Sequence, residues 1–146
     1  MNNSSHIDGY PAGRRPRAFL PGEALAALTA DILDPKACRR WTLERLHPDG
    51  PRCPHCGRPP RPTQQPAFWG LRRLDCPHCG RWYTALTGTM LHGCKLDIRK
   101  VFLIAACLAL GLSTSATAAQ AGVSTETVRL WRARFKALDQ CMEGGQ

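Results

Sequence analysis

Four of the eight cysteines, Cys53, Cys56, Cys76 and Cys79, fall in the pattern C-x2-C-x19-C-x2-C, and each pair sits in the same string, CPHCG. Two thiolates so spaced reach one cation from a single tight knuckle, and two knuckles supply the four sulfurs of a tetrahedral zinc site. The proline and glycine beside each pair supply the bends. Four cysteines leave no coordination position for water or substrate, so one structural Zn2+ is expected to hold a fold together and do no chemistry itself. Two disulfides and iron–sulfur ligation are the competing uses of the same quartet. His55 and His78, inside the knuckles, read as exposed polar residues. Cys38, Cys94, Cys107 and Cys141 stand outside any metal spacing, and Cys38 and Cys107 read as small buried apolar residues.

A second group could read nucleic acid. The stretch Leu112 to Leu138, LSTSATAAQAGVSTETVRLWRARFKAL, has the parts of a helix-turn-helix. It offers a small residue at the crossing, Ala118, and a turn glycine four positions on, Gly122. Ser124 reads as an N-cap and Glu126 as an acid in the positive first turn. At about 100° per residue, Val128, Trp131, Phe135 and Leu138 form one apolar stripe. Thr125, Arg129, Arg132 and Lys136 share another stripe roughly a quarter-turn away. Ser124, Thr125, Glu126, Arg129, Arg132 and Lys136 are therefore the candidate DNA-binding residues, with Arg129 and Arg132 suited to guanine or to phosphate. An ordinary solvated helical hairpin is the competing account.

The whole composition agrees with a polyanionic partner. The formal charge is +9 over 146 residues, and sixteen of the twenty cations are arginine, whose planar fork suits phosphate and guanine edges. A GC-rich genome would also enrich arginine. The N-terminus, MNNSSHIDGYPAGRRPR, lacks the apolar segment of a signal peptide. The longest apolar run, Val101 to Leu112, is well short of the roughly twenty residues of a bilayer span. A cytoplasmic, nucleoid-associated protein of a bacterium or phage, with no membrane contact, is expected.

These groups fall on successive elements of the chain. Residues 1–21 read as a flexible basic arm carrying Arg14, Arg15 and Arg17. A helix is expected over Glu23–Leu33, with Leu25, Leu28 and Ile32 on one side. A second runs from Pro35 to about Leu46, started by an Asp34 N-cap and proline at its first position, and stopped by HPDGP. RPPRPTQQP reads as a loop, and AFWGLRRLD and RWYTAL as the two strands of an antiparallel ribbon around the second cysteine pair. From Leu96 to Leu110 comes a helix apolar on nearly every side, which must be covered on every side. The expected fold is a small α+β chain, a four-cysteine zinc β-ribbon followed by a three-helix helix-turn-helix module. Its divisions are residues 1–21, the arm; 22–94, helices plus ribbon; 95–140, helix-turn-helix; and 141–146, a tail.

The order CRRWTLERLHPDGPRCPHCG, a second CPHCG, RWYTALTGTMLHGCK, an apolar helix and a helix-turn-helix resembles the N-terminal part of zinc-ribbon insertion-sequence transposases related to the Merlin transposons. The resemblance covers about residues 35 to 138. It implies that Cys53, Cys56, Cys76 and Cys79 bind zinc, that Gly88-Thr89 ends the ribbon hairpin, and that ribbon and helix-turn-helix together recognise terminal repeats. Such transposases continue into a nuclease domain with three converging acids. After Asp97 this sequence has only Glu126, Asp139 and Glu143. The expectation is a zinc-dependent, sequence-specific double-stranded DNA-binding protein without catalytic activity, alone, as a homodimer, or beside a separate recombinase chain that it targets to DNA. A zinc-ribbon adaptor for another protein is the remaining alternative.

Overall fold

The computed structural model describes residues 17–27 and 34–144. The arm expected over residues 1–21 falls mostly outside them, as does the second half of the helix expected over Glu23–Leu33. The described part of that helix, α1, spans Pro21–Ala26, and the Glu23 carboxylate accepts from the Leu20 amide at 2.8 Å, satisfying a free donor at its start.

Helix α2 covers Pro35–Leu46. Asp34 accepts from the Ala37 amide at 3.0 Å, and Pro35 opens the first turn, where a missing N–H costs nothing. Its inner side carries Cys38, Thr42, Leu43 and Leu46, all buried. Thr42 returns its hydroxyl proton to the Cys38 carbonyl at 2.9 Å, so a polar side chain sits in the core with its donor satisfied.

Next, the sequence and the structure part. Ala67, Phe68 and Trp69 do not begin a strand; they belong to a short helix, α3, at Gln65–Trp69, preceded by a 3-10 turn at Pro62–Gln64. Pro62 and Pro66 each fall in a first turn, where their fixed φ favours helical backbone. The amide of Arg72 closes on the Ala67 carbonyl at 2.9 Å, ending α3 before the chain extends. The two strands shrink accordingly to β1, Leu74–Asp75, and β2, Trp82–Tyr83, paired antiparallel with Leu74 opposite Tyr83 and Asp75 opposite Trp82. Leu74 and Tyr83 are buried and face inward; Asp75 and Trp82 are exposed.

Three further helices complete the chain: α4 at Ile98–Ala109, α5 at Thr114–Ala121 and α6 at Thr125–Glu143. Helix α4 is the hub, contacting α1, α2, α5 and α6. Its all-round apolar sequence is thereby accounted for, since Ile98, Val101, Phe102, Ile104, Ala105, Ala106 and Cys107 are all buried. Leu110, just past its end, is the exception and remains exposed. Burial of each large side chain here stabilises by about 1.5–3 kcal/mol relative to exposure.

An aromatic chain runs through the core. Trp41 of α2 meets Phe102 of α4 edge-on at 5.3 Å and Phe19 at 5.2 Å. Phe19 in turn reaches Phe135 of α6 at 6.0 Å, which packs on Trp131 at 5.8 Å. One cluster of buried residues takes in Cys53, Cys76, Leu74 and Tyr83 from the cysteine region together with Ile104, Trp131, Phe135 and Leu138 from the helices.

Helix α5 ends at Gly122, whose φ of 67° is the left-handed conformation that a Cβ disfavours. The Lys100 ammonium of α4 donates to the Gly122 carbonyl at 3.3 Å, tying this turn to the hub. Two residues on, Ser124 accepts from the Thr127 amide at 3.2 Å and starts α6.

Candidate metal centre

The two knuckles have the same backbone. Cys53 N–H donates to the Arg58 carbonyl at 2.9 Å and Gly57 N–H to the Cys53 carbonyl at 2.8 Å. In the second knuckle, Cys76 N–H donates to Arg81 and Gly80 N–H to Cys76, both at 2.9 Å. Gly57 and Gly80 take φ values of 78° and 75°. Each knuckle thus needs a glycine after its second cysteine to turn the chain back. The repeated CPHCG string is the sequence form of this repeated turn.

These turns bring the Sγ atoms of Cys53, Cys56, Cys76 and Cys79 within 4.8 Å of one another. Across the knuckles, Cys53 lies 3.8 Å from Cys79 and Cys56 lies 3.6 Å from Cys76. A disulfide would need about 2.05 Å, and all four are free thiols. A tetrahedron with metal–sulfur bonds of about 2.3 Å has edges of about 3.8 Å, which the two cross-knuckle separations match, so the quartet is placed to hold a metal ion. Cys53 and Cys76 are buried and Cys56 and Cys79 exposed, one of each per knuckle.

The electrostatics set the two buried sulfurs apart. Burial pushes the Cys53 thiol up to about 11, opposed by the amides of Cys56 and His55. At Cys76 burial also raises the pKa, but the amides of Cys79 and His78 and the neighbouring thiols outweigh it and bring the group down to about 6. The His78 amide stands 3.4 Å from the Cys76 sulfur. Backbone donors aimed at sulfur favour thiolate, the form that binds metal. His55 and His78 are exposed and outside the quartet; Arg58 meets His78 Nδ1 at 3.3 Å.

Two neighbours escaped sequence reasoning. Tyr83, fully buried on the inner side of β2, has its hydroxyl pushed up to about 12, first by burial and then by the charge of all four cysteines. Its hydroxyl has no hydrogen-bond partner in the protein. His47 was legible only as part of a turn. It is buried at the end of α2, donates from Nε2 to the Ala85 carbonyl at 2.6 Å, and meets Phe68 edge-on at 4.9 Å. Phe68 then reaches Tyr83 at 6.5 Å. His47, Phe68 and Tyr83 thus link α2 to the strand beside the sulfur quartet.

The six residues expected to meet DNA run along α6 from its N-cap, Ser124, to Lys136, past the middle of the helix. Thr125 is half-buried, and Ser124, Glu126, Arg129, Arg132 and Lys136 are exposed. The Ser124 hydroxyl is engaged in capping, and Arg129 pairs with Glu126 one turn back. Arg132 and Lys136 border an open cavity of about 910 Å3 between α6, the start of α1 and the turn after α4. The apolar stripe a quarter-turn away, Val128, Trp131, Phe135 and Leu138, is entirely buried. Arg134 stands apart from this basic face, with its guanidinium 4.7 Å from the Trp131 ring.

No family model, no curated protein and no solved structure matches the chain. Among the described residues, no helix is long and apolar enough to cross a membrane.

Proposed function

We propose that this chain is a zinc-dependent, sequence-specific double-stranded DNA-binding protein, without catalytic activity of its own, that resembles the recognition part of a transposase. The observation that carries the reading is the two-sided character of α6. One side is fixed in the core by Val128, Trp131, Phe135 and Leu138, while Arg129, Arg132 and Lys136 are exposed at successive turns. A rod so anchored presents its guanidiniums as a rigid row, the arrangement a major groove requires.

The turn before α6 supports a helix-turn-helix. Gly122 is left-handed, Ala118 is buried where α5 approaches its neighbours, and Ser124 caps the following helix. In a complex, the N-terminal turn of α6 offers free amides and a positive dipole end to a phosphate. Arg129 would exchange Glu126 for a base edge or a phosphate. Zinc is favoured for the sulfur quartet because four clustered thiolates suit it and would leave no site open. Bound there, the ion supplies cross-linking between two knuckles and no reaction chemistry.

Selection of bound duplexes from a random pool, with zinc measured on the same sample, tests both halves. Enrichment of one sequence with one zinc per chain is the expected result. On that sequence, Arg132→Ala should weaken binding by about 1–3 kcal/mol and relax the preference at one position. A pool that stays random at low salt overturns the reading.

A further inference from the structure

The outward face of the two-stranded sheet carries a side chain that folding does not explain. Trp82 is 55 % exposed, whereas Trp131 is fully buried and Trp41 and Trp69 are half-buried. An indole is a large, rigid aromatic plane, and one held at an ordered strand beside a stacked guanidinium offers a surface for another flat ring. The strand holds Trp82 in place through its pairing with Asp75, whose carbonyl is also bonded by Gln64 at 3.1 Å. The Arg73 guanidinium stacks 4.9 Å from the indole centroid and is steadied by Asp75 at 3.8 Å. Arg73 shares this face with Asp75, and Arg72 and Arg81 are exposed directly before β1 and β2, so three arginines and one carboxylate flank the two strands.

We propose that this face is a stacking site for an unpaired nucleobase of a DNA strand, with Trp82 as the platform and Arg72, Arg73 and Arg81 gripping the flanking phosphates. An aromatic plane stiffened by one guanidinium accepts the flat face of any base, and neighbouring arginines match the charge that follows every base along a strand. A paired base inside a duplex cannot present that face, so the site selects single-stranded extensions and locally opened steps. A peptide surface would place no regular anions opposite three arginines. The inference rests on the proposed DNA partner but not on α6, since β2 and α6 are separate elements with separate residues.

The test uses the metal-loaded full chain and three probes: a blunt duplex selected for binding, the same duplex with a single-stranded extension, and oligothymidylate. The extension should raise affinity and quench tryptophan fluorescence. Trp82→Ala should remove about tenfold or more of the binding to extended and single-stranded probes, leave the blunt duplex unchanged, and abolish the quenching. Trp82→Phe should retain most of the gain. Unchanged metal content and melting midpoint establish that both variants fold, as expected for an exposed position. Equal affinity of wild type for blunt and extended duplexes, or an equal loss for Trp82→Ala on both, overturns this site while leaving the α6 reading standing. Binding of the extended and single-stranded probes with no binding of any blunt duplex overturns the α6 reading and leaves this site standing. Absence of binding to all three, with Trp82 instead protected by a protein partner, overturns both.

Discussion

His47 and Cys76 show how single residues tie the chain together. Burial holds the His47 imidazole below its ordinary value, with the Ala85 carbonyl opposing that shift. A histidine depressed in the folded state binds protons more readily once unfolded, so stability is full above about pH 6.5 and falls as the pH drops toward the folded-state value. His47→Gln keeps an N–H donor but cannot titrate, and should flatten the denaturant-measured stability between pH 7 and pH 5 (a range of about two units around that ordinary value), compared at equal metal content. An unchanged slope would place the acid sensitivity elsewhere. Cys76→Ser removes a ligand whose sulfur is buried and already amide-bonded. It should abolish stoichiometric metal uptake, measured on purified protein, because a serine hydroxyl does not ionise near neutrality and cannot replace a thiolate.

At the scale of elements, the helix boundaries were the most legible feature. Asp34-Pro35 and Ser124 announce α2 and α6 because capping is chemistry local to a few residues. The stripe of α6 is equally plain, since nineteen residues give the helical period room to declare itself. The four cysteines were legible for a similar reason: a metal site fixes spacing more tightly than packing does. Ala67–Trp69 failed because three apolar residues fit a strand as well as a helix, and the prolines before them, not their own period, decide the matter. His47 failed because its partners, Ala85 and Phe68, lie far away in sequence. Two tests belong here. Ser124→Ala should cost about 1 kcal/mol of stability by freeing the Thr127 amide, read by chemical denaturation. Gly122→Val, forced into a left-handed φ, should cost more than about 1 kcal/mol, and Gly122→Asn distinctly less; equal losses would show that space, not backbone, limits the turn.

For the molecule as a whole, the cysteine region and the helices share one buried cluster, in which Cys53, Cys76 and Tyr83 join Phe19, Trp131 and Phe135. Removing the ion by chelation under reducing conditions should therefore lower a single melting transition, as read by calorimetry with and without chelator. Two separated transitions in the stripped protein would indicate that the helices stand without the knuckles. The alternation of the four sulfurs carries a kinetic corollary. Each knuckle turns one sulfur inward and one toward solvent, with Cys56 and Cys79 outermost. In a metal-loaded chain, a competing thiol or an invading soft metal would meet those two first, and substitution would start at the rim while the inner pair still gripped. An ion held there would then be handed over stepwise through one doorway, and its escape would follow how often that rim loosens rather than how often the chain unfolds.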